Sequence, residues 1–147
     1  MTTPSDDVPA LVLEDVCRIH QDGPTTITAL DHVNLTVMPG ELVAVMGPSG
    51  SGKTTLLNIA GTLDAPTSGR VFIAGNDSGY LPPTARATIR RTHMGFVFQD
   101  FNLIPTLTVL ENVSLPLELG KMPTKEARAQ GRAALEDIDQ ADLADRY

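Results

Sequence analysis

Gly47-Pro48-Ser49-Gly50-Ser51-Gly52-Lys53-Thr54-Thr55 have the residue types and spacing to hold a polyphosphate. They match the pattern G-x-x-x-x-G-K-S/T in full. A phosphate chain is a dense anion, and gripping it requires donors that converge with no side chains in the way. Gly47, Gly50 and Gly52 let the backbone bend sharply and come close. The amides of about residues 50–55 are then free to form an anion nest at the positive end of a following helix. Pro48 has no N–H, so it belongs where no donor is needed. Lys53 supplies a mobile cation for the outer phosphates. Thr54 offers a hydroxyl for Mg²⁺, which takes few protein ligands beside phosphate oxygens and water.

Such a loop works only between a strand and a helix. The apolar run Leu42-Val43-Ala44-Val45-Met46 reads as the strand, and Leu56-Leu57-Asn58-Ile59-Ala60 as the helix. That context separates a phosphate loop from a Gly/Ser linker and makes nucleotide binding the leading expectation. Upstream, residues 1–9 read as a polar, disordered lead, and Ala10 to Val16 as a strand. Gly23-Pro24 marks a turn. Val33, Leu35 and Val37 alternate with polar neighbours, a half-buried strand, and Pro39-Gly40 turns the chain into the loop strand.

Downstream, Arg70 to Ala74 reads as a strand and Thr84 to about Arg91 as a helix. Gly95-Phe96-Val97-Phe98 reads as a short apolar strand ending on Gln99. Thr108 and Glu111 have capping-box spacing before Leu110, Val113 and Leu117, which share a helical face. Thr124 to Ile138 reads as a helix weakened by Gly131. Arg86, Arg90 and Arg91 read as a solvated helix face.

The chain has 147 residues, enough for one domain with a core, and a net charge of −7. An acidic balance argues against a nucleic-acid partner, which calls for a basic face. No apolar run approaches the roughly 20 residues of a membrane span. Cys17 is the single cysteine, so no internal disulfide forms, and it reads as a small buried hydrophobe in a cytosolic protein. The sequence shows no clustered His/Cys spacing of a zinc site, and His32 and His93 receive no role.

With these motifs, the chain resembles the ATP-binding subunits of ABC transporters from about Leu11 to Tyr147. Beyond the phosphate loop, three segments carry the resemblance: Gly61-Thr62-Leu63-Asp64-Ala65-Pro66-Thr67-Ser68-Gly69, then Gly95 to Pro105, which looks like the family's glutamine loop, and Leu107 to Val113. The wording is closest to the branch serving lipoprotein release and macrolide export. The resemblance implies an α/β fold of the P-loop NTPase type: an antiparallel β subdomain, part of a core parallel sheet, and the start of a helical subdomain. It divides the chain at 10–98 and 99–147. It implies Mg²⁺ and ATP as ligands, with Lys53 and Gln99 in catalytic roles and Thr54 and Gln99 toward the metal. The cofactor contacts would be Gly47, Pro48, Ser49, Gly50, Ser51, Gly52, Lys53, Thr54 and Thr55, with His20 where the family often stacks an aromatic ring on adenine. The implied partners are a transmembrane permease and a second ATP-binding subunit, with the chain peripheral on the cytoplasmic side of the membrane.

The family's signature segment, its acidic strand and its switch histidine would fall beyond Tyr147. The expectation is therefore an N-terminal portion of a longer subunit, or the product of a disrupted gene, that binds Mg-nucleotide weakly and does not turn over alone. Without the flanking strands of the parallel sheet, Leu42 to Met46 and Phe96 to Phe98 are expected to expose unpaired backbone and apolar surface. Glu111, Glu118, Glu136, Asp137, Asp139, Asp142 and Asp145 read as solvated helix faces rather than catalytic carboxylates. A non-catalytic remnant or regulator, a small-molecule kinase, and a soluble ATPase acting on ribosomes or DNA are the other readings. The kinase lacks a clustered basic lid.

Overall fold

The computed structural model describes residues 8–147. The lead expected over residues 1–9 lies, apart from Val8 and Pro9, outside the described residues. Two compact units emerge, one running through Gly95 and the other Phe96–Tyr147.

The first unit is built on an antiparallel sheet of order β2-β1-β3-β4. Strand β1 (Leu11–Asp22) turns through Gly23-Pro24 into β2 (Thr25–Val37). Asp22 pairs with Thr25, so the turn has two residues, and Gly23 supplies the positive φ (59°) such turns demand. Strand β3 (Ser68–Ile73) pairs with the other edge of β1, and β4 (Asn76–Asp77) closes the edge of β3.

Strand β1 runs six residues beyond the expected end at Val16. The reason is three register shifts against β2, which break the alternation that marks a strand in sequence. Two bulge residues, Asp15 and His32, sit at φ 53° and 49°. They face each other, with His32 Nδ1 2.7 Å from Asp15 Oδ1. That hydrogen bond first, then the charges of Asp15 and Asp31, hold the imidazole above its usual pKa.

Helix α1 (Lys53–Ala60) packs on this sheet, its Ile59 joining Leu13, Val16, Leu30, Val71 and Ile73 in one buried cluster. Each such side chain contributes about 1.5–3 kcal/mol by leaving water. Helix α2 (Pro83–His93) adds Ile89 to the rim. Its Arg90 is not a solvated charge as expected: Nη1 donates to the carbonyl of Thr62 at 2.6 Å. Thr62, buried at φ 55°, occupies the left-handed position that usually ends a helix on glycine. Arg90 thus ties down the strained end of α1, while Arg18 holds the next turn through Asp64 at 2.8 Å.

The second unit pairs α3 (Val109–Leu119) with α4 (Thr124–Glu136), followed by a 3₁₀ turn at Ala141–Leu143. Leu110, Leu135 and Ala144 form its core. The capping box is present as expected: Glu111 N–H donates to Thr108 Oγ1, and Thr108 N–H to Glu111 Oε2. Gly131 is explained by packing: a Cβ there would stand 3.2 Å from Leu110 Cδ1 and 3.4 Å from Ser114 Cβ. Small size at that point lets α3 and α4 approach.

The strand-like segments Leu42–Met46 and Gly95–Phe98 carry no ladder hydrogen bonds among the described residues, the unpaired state expected where the flanking strands of a parallel sheet are missing. A strand needs a neighbour to pair its backbone, and neither has one there. Their side chains are correspondingly bare: Leu42 is 98% exposed and Met46 87%. No helix of the described residues is long and apolar enough to cross a membrane.

Candidate functional site

The phosphate loop leads directly into α1, which begins at Lys53 with Gly52 as its N-cap. Its glycines are required by geometry. Gly52 lies at φ 85°, and a Cβ there would collide with the carbonyl oxygen of Ala29 on β2. A Cβ on Gly47 (φ 152°) would stand 2.7 Å from Ser51 Oγ. Gly50 (φ 80°) faces open space and needs only its conformational freedom.

The first turn of α1 is open. Leu56 N–H is the first to find a helical acceptor, the carbonyl of Gly52 at 2.8 Å. Among the described residues, the amides of Lys53, Thr54 and Thr55 donate to no protein group, nor do those of Ser49, Gly50 and Gly52. Ser51 N–H alone in the loop turns inward, to Pro48 O at 3.3 Å. Helix α3 shows the contrast. Its first amides are answered by Arg146 O (2.8 Å), Ala144 O (2.9 Å) and the Thr108 hydroxyl (3.2 Å). One helix start is sealed by protein; the other presents a run of unpaired donors with the positive end of a dipole behind them.

Lys53 folds back over this mouth. Its Nζ donates to Gly47 O at 2.8 Å and Pro48 O at 2.6 Å, with Ser51 Oγ at 3.4 Å. All three ammonium protons are occupied by the loop itself, so the cation sits at the rim before any phosphate arrives. The Pro48 carbonyl serves here, and its missing N–H costs nothing, as expected. The Thr54 side chain is exposed and its hydroxyl has no partner among the described residues. Unpaired amides, a close-approach glycine pair, one ammonium and one free hydroxyl fit a magnesium-chelated polyphosphate.

The structure brings residues 47–55 into one loop. His20 lies on β1 of the same unit, paired with Ile27, two residues along β2 from the Ala29 that Gly52 abuts. Gln99 belongs to the second unit. It follows an exposed stretch and its amide has no partner among the described residues. Asn112 was not singled out from sequence, yet it organises the segment after Gln99. Its side chain accepts from Ile104 N–H (2.8 Å) and donates to the carbonyls of Ile104, Leu107 and Thr108, each at 3.1 Å. Its only sequence signal is its place one residue after the capping-box glutamate.

Comparison with known proteins agrees with this geometry. The family described as ABC transporter matches residues 30–147. The macrolide export ATP-binding/permease protein MacB of Brucella abortus is 43% identical over 137 residues, covering 93% of this chain and 21% of that protein. The lipoprotein-releasing system ATP-binding protein LolD of Pseudomonas fluorescens is 42% identical, covering 87% of this chain and 56% of its own length. A dimeric structure of the ATP-binding cassette MJ0796, described as a post-hydrolysis state bound to ADP and Pi, superposes with a TM-score of 0.81 at 44% identity. It covers 92% of this chain and 60% of its own. The α/β fold, with an antiparallel sheet beside the loop helix, is that of the ABC ATPase core. This chain therefore spans only part of the length of the proteins it matches, and within that part it belongs to the ABC transporter family as ATP-binding domain.

Proposed function

We propose that this chain binds Mg-ATP at residues 47–55 and contributes to ATP-driven transport, in the export direction, through a transmembrane permease. The observation that carries the binding is the open first turn of α1 beside Lys53, set against the sealed start of α3. The amides of residues 49–50 and 52–55 would receive the phosphate oxygens. Lys53 would exchange a loop carbonyl for the outer phosphates, and Thr54 would offer its hydroxyl to the metal. Mg²⁺, when bound, neutralises phosphate charge that the loop alone leaves uncompensated. Gln99 is assigned to the metal and the attacking water, and His20 to the adenine face. A second ATP-binding subunit and a permease are the partners this reading requires, which places the chain on the cytoplasmic face of a membrane. The names of the relatives, macrolide export and lipoprotein release, support the export direction.

A second reading keeps binding and drops turnover by the chain alone. Among the acidic residues, Glu111 is committed to its cap and to Arg128 at 2.9 Å rather than free as a base. Equilibrium binding of a fluorescent ATP analogue to the full chain tests the common part. Magnesium-dependent affinity that falls at least about tenfold (roughly 1.4 kcal/mol) in Lys53→Ala is expected. No such affinity in a folded sample, or none lost in Lys53→Ala, overturns it. Phosphate release above background decides between the two readings.

A further inference from the structure

We propose that Cys17, Asp31 and His32 form a site for a zinc-class divalent ion, separate from the phosphate loop. Thiol, carboxylate and imidazole donor atoms of these three residues lie within 4.8 Å of one another. His32 Nε2 and Asp31 Oδ1 are 3.9 Å apart. Ligand atoms around a tetrahedral zinc stand about 3.3–3.8 Å apart, given bonds of roughly 2.0–2.3 Å. The remaining closure is small and falls on the exposed Asp31 carboxylate and a tilt of the Asp15-held imidazole, with the core undisturbed.

The chemistry of the donor set selects the ion. One sulfur, one nitrogen and one carboxylate oxygen suit Zn²⁺ or Co²⁺ and are a poor match to Mg²⁺ or Ca²⁺, which take all-oxygen shells. The surroundings match as well. Asp15 Oδ1 holds His32 Nδ1 at 2.7 Å, which turns Nε2 toward Asp31 and fixes the ring, the usual office of a carboxylate behind a metal-bound histidine. The buried Cys17 sulfur already accepts the His32 backbone N–H at 3.2 Å, which seats it beside the residue that carries the imidazole. Asp31 and His32 are exposed, so an ion arrives from solvent. On binding, the Cys17 thiol proton passes to water, and one coordination position remains for a water molecule. The ion would cross-link β1 to β2 at their bulges.

The spacing of Cys17 and His32 along the chain resembles no metal motif. The hairpin brings them together, and the register shifts aim them at one point. The bland alternative is a core cysteine beside a solvated His–Asp pair. Titrating the full chain with Co²⁺ and recording the near-ultraviolet thiolate-to-cobalt charge-transfer band separates the two. A saturable band is expected, which Zn²⁺ displaces. Cys17→Ser should abolish it. His32→Asn, chosen because asparagine tolerates φ 49°, should weaken Co²⁺ binding at least about tenfold, and Asp15→Asn by about 10–100-fold. Absence of the band in the folded chain, or a band whose titration is unmoved by His32→Asn, overturns the proposal. The surface variant keeps this decisive should Cys17→Ser fail to fold.

Discussion

Gly52 abuts the carbonyl oxygen of Ala29 so closely that strand β2 dictates the residue before helix α1. The loop's mouth is thereby fixed by the antiparallel sheet as well as by its own turns. Gly50→Ala and Gly52→Ala separate the two requirements. Both positions have φ near 80°, which costs an alanine about 1–2 kcal/mol. Only Gly52→Ala also meets backbone. Denaturant unfolding should show Gly50→Ala losing that strain alone. Gly52→Ala should lose clearly more and should also lose nucleotide affinity. Equal losses would mean that β2 does not set the loop.

The start of α3 responds to acid. Glu111 is held below the ordinary glutamate pKa, chiefly by the Thr108 backbone amide, against a smaller opposing effect of burial, and further by the Thr108 side chain and the Arg128 charge. Its folded pKa is depressed, so its contribution is present above the unfolded value, about 4.3. That contribution is lost as pH falls through the lower folded value. Glu111→Gln should flatten the stability profile in that window and leave it parallel to the parent near neutrality. Thr108→Ala should cost about 1 kcal/mol at neutral pH through the lost cap. A parent profile already flat below pH 4.3 would contradict the assignment.

Gly131 and Leu110 define how closely α4 packs on α3. Gly131→Ala gains about 1 kcal/mol of helix propensity and presses a methyl group against Leu110 Cδ1, an atom able to give a few tenths of an ångström. Those terms nearly cancel, so its stability should stay near the parent's. Gly131→Val has no such room and should lose about 1–3 kcal/mol by overpacking. Thermal unfolding of the pair checks the order.

The legible parts of this molecule are those specified by local chemistry. The phosphate loop, the Gly23-Pro24 turn and the Thr108–Glu111 cap each need particular residues at fixed offsets, and each stands where its residues place it. Helix α1 starts three residues before its apolar stretch because the loop's Lys53, Thr54 and Thr55 already form its first turn. What escaped was long-range. Bulges at Asp15 and His32 hide the second half of β1, because period-two alternation fails wherever one strand gains a residue. Arg90 looked like surface charge because nothing near it in sequence announces the Thr62 carbonyl. Asn112 and the Cys17–Asp31–His32 cluster depend on contacts that only folding creates. The bare, unpaired state of Leu42–Met46 and Phe96–Phe98, by contrast, was legible, because a strand-like pattern without flanking strands leaves its backbone open.

The segment at Phe96–Phe98 shows what that lack of pairing leaves exposed. The two phenyl rings stack with centroids 5.6 Å apart and planes within 5°, which places both on one side of an extended backbone. Val97 points the other way and is 102% exposed. An apolar edge of unpaired amides and carbonyls is a template for any other strand. Purified chain should therefore associate with itself as concentration rises. Val97→Lys should reduce that association by placing a charge on the open face, as natural edge strands do. It should leave nucleotide affinity within about twofold, roughly 0.4 kcal/mol, since Val97 has no role at the phosphate loop. Sedimentation velocity over a concentration series measures the first effect and analogue titration the second. Unchanged association in Val97→Lys would show that contacts elsewhere drive it.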